Sequence, residues 1–264
     1  MKVSHYLYNA FTIETSDKKL AIDPGGLFFH FFRFTTLIPK SEWEGITHIF
    51  VTHGDPDHYW HVDRVAKASG ACLVCNKTMV KEVGGESLLL GPRSRGLSFT
   101  ARLDNVVTVG VGDEIELDGM TVGTIKTTHG ALTLKVGPLN IRKKPGPGER
   151  VGWGSTGYSI DVDGKKIVNL GDTLLHVEEW AHINEPDVLM IPIGGKTTHN
   201  TMDELDALKA VAAIQPKLVI PCHYNLPAFF TNKYCPADVS MFKSGVEKLG
   251  SSCAVLNNGD SISI

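Results

Sequence analysis

Nowhere does this 264-residue chain stay apolar for the roughly 20 residues that a bilayer-spanning helix needs, so no membrane span is expected. Its first ten residues also lack a continuous apolar core and a small-residue cleavage site; no signal peptide is expected, and the expected location is the cytoplasm. Cysteine is sparse. The five thiols, Cys72, Cys75, Cys222, Cys235 and Cys253, fit a reducing compartment without a disulfide framework. Cys72 and Cys75 form a C-x-x-C, but inside the strand-like run Ala71-Cys72-Leu73-Val74-Cys75 and with no second Cys or His pair beside it. Buried, inert thiols are expected there rather than a zinc knuckle. Positive charge is in short supply too: a net charge of −3 argues against a general binder of nucleic acid or anionic membrane. No Ser-, Gly- or Pro-rich linker splits the sequence, and 42% hydrophobic residues suffice for a sizeable core, so one domain spanning 1–264 is expected. There is no short-period repeat. A G-x-S-x-G elbow is missing as well, which removes the Ser/His/Asp hydrolases built on that turn.

What the chain does have is a dense set of metal-binding side chains in six residues, His53-Gly54-Asp55-Pro56-Asp57-His58. The preceding run, Thr47-His48-Ile49-Phe50-Val51-Thr52, is β-branched and aromatic and predicts a buried strand. A strand ending abruptly in Gly, Pro and acids delivers these ligands to the mouth of a sheet, where α/β proteins place their chemistry. Two imidazoles and two carboxylates together suit a first-row divalent ion.

Thr52 to His58 resembles the T-H-x-H-x-D-H signature of the metallo-β-lactamase superfamily, with Thr52, His53, Asp57 and His58 matching and Asp55 standing where the family usually has His. Three later segments resemble the family's remaining ligand motifs in order: His129 in Lys126-Thr127-Thr128-His129-Gly130, Asp172 in Asn169-Leu170-Gly171-Asp172-Thr173, and His223 in Ile220-Pro221-Cys222-His223-Tyr224. With the stretch Asp187 to Gly195, they look most like the branch of ascorbate-phosphate lactonase and related metal-dependent hydrolases. The resemblance implies an α/β fold, a four-layer αββα sandwich of two mixed β-sheets with outer helices. It implies two divalent ions (Zn, Mn or Fe), one held by His53, Asp55 and His129, the other by Asp57, His58 and His223, with Asp172 bridging. A hydroxide shared by the two metals would then attack an ester, lactone or phosphodiester, with Asp57 orienting it. The Asp23-Pro24-Gly25 segment would support the site. The expected partner is a small molecule, anionic on the strength of the basic segment described next; a lipid-like phosphodiester and a metal-binding sensor without turnover are the competing readings. No nucleic-acid partner is expected.

Along the rest of the chain, Lys2 to Thr15 alternates and Ser16-Asp17-Lys18-Lys19 turns into Leu20-Ala21-Ile22-Asp23, an antiparallel β start. Tyr59 to Ser69 predicts a helix ending at Gly70, and Lys77 to Val83 a short one. Gly84 to Arg102 reads as loop, and Asn105 to Thr128 as alternating β. Val136 to Ser155 is rich in Gly and Pro and carries Arg142, Lys143, Lys144 and Arg150. This reads either as a solvated loop or as a basic rim for an anionic substrate. Thr201 is expected to cap a helix to about Ile214, with Glu204 closing a capping box. His61, His176 and His199, near the ligand segments, read either as ordinary polar residues or as contacts to the far side of a ligand or to substrate, and Tyr224, directly after a ligand, as a pocket residue. In Phe28-Phe29-His30-Phe31-Phe32-Arg33-Phe34 five of seven residues are Phe, which suits a lid over the pocket, a contact within a homo-oligomer, or an ordinary packed excursion. If the lid reading holds, replacing Phe31 and Phe32 with Ser raises the apparent KM for apolar substrates and spares metal content; a changed oligomeric state with intact kinetics identifies an interface instead.

Overall fold

The alternating and β-branched runs become two mixed sheets of seven strands each, in a computed structural model that describes residues 1–26, 36–90, 100–136, 139–146, 149–226 and 234–264. The Phe28 to Phe34 segment lies outside the described residues. The chain forms two compact units, Met1–Gly110 with Pro145–Ser155 and Asn257–Ile264, and Val111–Lys144 with Thr156–Leu256.

In the first unit the strands run in the order Ser261–Ser263, Lys2–His5, Phe11–Glu14, Lys19–Ile22, His48–Phe50, Cys72–Asn76 and Val106–Val109. The first four pair antiparallel, and from Lys19–Ile22 onward the pairing is parallel. The parallel strands read as near-continuous apolar runs because both faces are covered: Leu20, Ile22, Ile49, Phe50, Leu73 and Val74 are fully buried. Helix Val62–Ser69 buries Val62, Val65 and Ala66, spaced i, i+3 and i+4, and ends at Gly70 in the left-handed region (φ 73°).

In the second unit the order is Glu114–Leu117, Met120–Ile125, Gly157–Val162, Lys165–Asn169, Val188–Pro192, Leu218–Cys222 and Ser252–Cys253. Here again four antiparallel strands continue into parallel ones, from Lys165–Asn169 onward. Its core joins Val168, Leu189, Ile191 and Val219 of the sheet to Ala207, Val211 and Ile214 of helix Glu204–Ile214 and Phe242 and Val246 of helix Val239–Lys248. Burying each aliphatic side chain of this kind stabilises the fold by about 1.5–3 kcal/mol. Trp180 is fully buried among them and donates its indole N–H to the Lys126 carbonyl at 3.0 Å, so its one polar atom is satisfied.

Several local expectations need correction. Gly84 to Arg102 holds two strands, Glu86–Leu90 and the start of Thr100–Leu103, which join Val80–Val83 in a three-stranded sheet. The helix expected over Lys77 to Val83 is only a 3-10 turn, Lys77–Met79, before that first strand. Leu139–Lys143 within the expected basic loop pairs with Leu132–Val136. The helix expected over Tyr59 to Ser69 is divided, into Pro56–Tyr59 and Val62–Ser69, because His61 adopts a left-handed conformation (φ 67°). Thr201 caps nothing: Asp203 occupies the N-cap and accepts from the amides of Leu205 and Asp206, both at 3.0 Å. Glu204 instead accepts the Asp238 amide at 2.6 Å, tying the two long helices of this unit together. Among the described residues no helix is long and apolar enough to cross a membrane.

Candidate metal centre

The first unit presents a loop of ligand-type residues at the carboxyl end of the parallel strand His48–Phe50. His53 and His58 are fully buried, with ring centroids 3.9 Å apart. Each faces a carboxylate, His53 Nε2 lying 3.5 Å from Asp55 Oδ2 and His58 Nε2 3.4 Å from Asp57 Oδ2. Asp55 occupies the N-cap position of helix Pro56–Tyr59, where an Asp side chain ordinarily accepts from the first-turn amides, yet it makes no such bond. Its carboxylate is committed to the imidazole side.

A second carboxylate fixes the loop from behind. Asp23, itself fully buried, accepts from His58 Nδ1 at 2.7 Å, Asn9 Nδ2 at 2.7 Å, the Thr52 amide at 2.7 Å and the Thr52 hydroxyl at 2.5 Å. A carboxylate offers only acceptors, so the His58 proton sits on Nδ1 and the Nε2 lone pair points toward Asp57. This is the arrangement by which metal-binding imidazoles are held in one tautomer. Gly25 completes the support. A Cβ there would stand 2.2 Å from the Asp57 carbonyl carbon and oxygen, and Gly26 donates its amide to the Pro56 carbonyl at 2.9 Å. Asp23 reaches this place with φ 45°, a conformation uncommon for a residue other than Gly.

The second unit gathers His129, Asp172 and His223, all nearly inaccessible to solvent. Asp172 Oδ2 lies 3.0 Å from His223 Nε2 and 3.7 Å from His129 Nε2, a carboxylate between two imidazoles. His129 Nδ1 donates to the Gly130 carbonyl at 2.7 Å, which leaves its lone pair on Nε2. Asn200 Nδ2 donates to Asp172 Oδ2 at 3.1 Å. Thr173 joins the two segments: its hydroxyl accepts the Thr128 amide at 3.0 Å, while its own amide and carbonyl bond the Thr201 hydroxyl, each at 3.2 Å. His223 is left-handed (φ 53°), and a Cβ on Gly194 would come within 2.2 Å of its carbonyl oxygen.

Three of the candidate substrate contacts, His176, His199 and Tyr224, fare differently. His176 stands before helix Val177–Trp180 with its ring edge-on to Trp180 at 5.7 Å; burial, and secondarily Lys126, lower its pKa. His199 is exposed; what it contributes is main chain, its carbonyl approaching Gly130 so closely that a Cβ there would lie at 2.1 Å. Tyr224 packs its ring against the core of the second unit, and burial pushes its hydroxyl up to about 12. The sequence reading missed Asn9, Asn200 and Thr201, which hold ligand-type residues in place. An Asn one position from a noted His was the available signal only for Asn200.

Comparison with known proteins agrees with this architecture. A family model for the beta-lactamase superfamily domain matches residues 2–223. A protein named UPF0173 metal-dependent hydrolase from Alkaliphilus metalliredigens is 31% identical over 226 residues, covering 85% of this chain and 86% of that one. Another of the same name from Carboxydothermus hydrogenoformans is 29% identical, with 99% of each chain covered. Among solved structures, a metallo hydrolase from the archaeon Ignicoccus hospitalis superposes with a TM-score of 0.68 at 23% identity, covering 99% of this chain and 97% of its own. A metallo-beta-lactamase fold protein from Bacillus subtilis gives 0.61 at 12% identity, with 99% of each chain covered. The fold is therefore the α/β metallo-β-lactamase fold. The chain belongs to the metallo-β-lactamase superfamily.

The Asp23 bracket makes a specific demand on metal binding. Asp23→Ala frees the His58 ring and is expected to weaken metal affinity about 10- to 100-fold, the usual cost of losing such a partner, as measured by competition with a chromogenic chelator; unchanged affinity would show that Asp23 serves the fold alone.

Proposed function

We propose that this metal-dependent hydrolase cleaves an ester, lactone or phosphodiester of an anionic small molecule, with the whole chain acting as one hydrolase domain. The observation that carries the reading is the pair of contacts between fully buried imidazoles and partly buried carboxylates in the first unit, His53 with Asp55 and His58 with Asp57, with His58 fixed from behind by Asp23. Acids and imidazoles partly or wholly withdrawn from water in such number are costly unless they neutralise one another or a cation. Their oxygen and nitrogen donors suit Zn, Mn or Fe.

On the motif resemblance, His53, Asp55 and His129 would hold one ion and Asp57, His58 and His223 the second, with Asp172 available to both. When bound, the ions would supply Lewis acidity and a water of lowered pKa. Asp57, whose carboxylate is less buried than the His58 ring it faces, would orient a water and take up its proton. Asn200 keeps Asp172 from rotating, and Thr173 keeps the His129 and Asp172 segments in register. The names of the relatives support hydrolysis; the lactonase-like branch rests on the motif resemblance, and the anionic substrate on the basic stretch Arg142 to Arg150.

Elemental analysis of protein purified without chelator should approach two metals per chain, and a panel of phosphorylated lactones and bis-aryl phosphodiesters at matched loading should show a metal-dependent rate. A saturated ratio of one, untouched by His223→Ala, overturns the second site; bound metal without turnover on any member of the panel favours a sensor.

Asp55 sharpens the metal question. A carboxylate is a harder ligand than the imidazole usual in the family, and its charge opposes ionisation of the attacking water. Asp55→His is therefore expected to keep its metal, shift preference toward zinc and move the acidic limb of the pH–rate profile downward. An unchanged profile, together with full occupancy in Asp55→Ala, would remove Asp55 from the ligand set.

A further inference from the structure

The segment read from the sequence as a basic rim contains one cation that is not on a rim. Arg150 is 9% exposed, although Lys143 and Lys144, in the same stretch, are open to solvent. It is held in the first unit by a turn docked on the ligand loop: the Trp153 carbonyl accepts the Gly54 amide at 2.8 Å, and the Trp153 amide donates to the Arg150 carbonyl at 3.0 Å. A Cβ on Gly54 would meet the Trp153 ring at 2.6 Å, so this approach requires Gly in the middle of the motif.

The guanidinium itself lies over the Trp60 ring, 5.1 Å from its centroid, which occupies one face of the cation. Burial lowers its pKa, while Asp55 and Asp57 act in the opposite sense; it therefore sits within electrostatic reach of two proposed ligands. Among the described residues Nε and Nη2 have no hydrogen-bond partner. These two atoms belong to one edge of the guanidinium, the edge whose parallel N–H groups meet both oxygens of a carboxylate or phosphate. Proteins seldom bury two donors unsatisfied. An acceptor brought by a ligand satisfies them.

We propose that Arg150 binds the anionic group of the substrate, a carboxylate or phosphate oxyanion, through its Nε–Nη2 edge. The role rests on the reading of this enzyme as a hydrolase of anionic small molecules. Trp60 stacks on the cation, and the Trp153 turn, docked on Gly54, fixes it within electrostatic reach of Asp55 and Asp57, so the group that is gripped lies near the ligand loop.

The test compares wild type, Arg150→Gln and Arg150→Lys, each loaded with metal and checked for metal content. Calorimetric titration with inorganic phosphate and, separately, with benzoate reads oxyanion binding. Both variants contain the same metal ligands, so a difference from wild type reports Arg150. Loss of a bidentate charged contact is expected to weaken binding about tenfold or more in Arg150→Gln, with Arg150→Lys, which keeps the charge and loses the fork, in between. Whichever anion responds more identifies the preferred group. In kinetics, the KM for a carboxylated aryl ester should rise at least about tenfold more than that for its uncharged counterpart, by the same contact. Unchanged binding of both anions overturns the proposal. So does lost metal with equal loss on both esters, which would make Arg150 a positioning residue for Asp55 and Asp57. A wild type that hydrolyses neither ester, yet loses phosphate binding in Arg150→Gln, removes ester hydrolysis and leaves the oxyanion site standing. If Arg150→Gln fails to fold, Arg150→Lys carries the same comparisons.

Discussion

The buried carboxylate of Asp23 is the constraint on which the first half of the site depends. It accepts four hydrogen bonds from three residues, Asn9, Thr52 and His58, drawn from the amino-terminal hairpin, the end of a parallel strand and the helix that follows. Each donor is charge-assisted and desolvated, so removing the acceptor would leave several buried polar groups unsatisfied, at about 1–3 kcal/mol for each. The backbone obeys the same constraint. Gly25 has no side chain because Asp57 and His58 pass where a Cβ would be.

The second unit solves the equivalent problem with neutral groups. Main-chain, carboxamide and hydroxyl groups do the holding: the Gly130 carbonyl orients His129, Asn200 steadies Asp172, and Thr201 grips Thr173 from both sides. In both units most of the ligand-type residues follow parallel strands: His53 to His58 after His48–Phe50, Asp172 after Lys165–Asn169, and His223 after Leu218–Cys222. At such carboxyl ends the chain must leave the sheet and its side chains are released from the pleat, which makes these positions suited to chemistry. His129, which follows the antiparallel strand Met120–Ile125, is the exception.

What was legible in the sequence was what is local. The ligand loop declared itself because six consecutive residues fix its chemistry, and the parallel strands because two covered faces demand unbroken apolar runs. Supporting residues were harder to see. Thr201 looked like a helix cap from its spacing to Glu204, but both residues have tertiary partners, Thr173 and Asp238, that no local pattern encodes. The strands at Glu86–Leu90 and Thr100–Leu103 were read as loop because their small sheet is largely exposed on the Val80–Val83 side and so lacks the alternation that burial imposes. Arg150 was noticed only as one charge in a basic run; that it alone turns inward depends on a turn closed by Trp153, 99 residues along the chain from the Gly54 it meets.

That turn has a thermodynamic meaning. The Trp153 carbonyl bonds Gly54, so the ordering entropy of the Arg150 segment is spent when the first unit folds and not when a ligand arrives. A long cationic side chain normally loses rotamer freedom on binding, on the order of 1–2 kcal/mol; here Trp60 stacking has already removed it. Recognition by this edge is accordingly rigid: the enthalpy of two N–H···O contacts is available almost undiminished, and ligands whose oxygens are spaced differently gain little by adapting the protein to themselves.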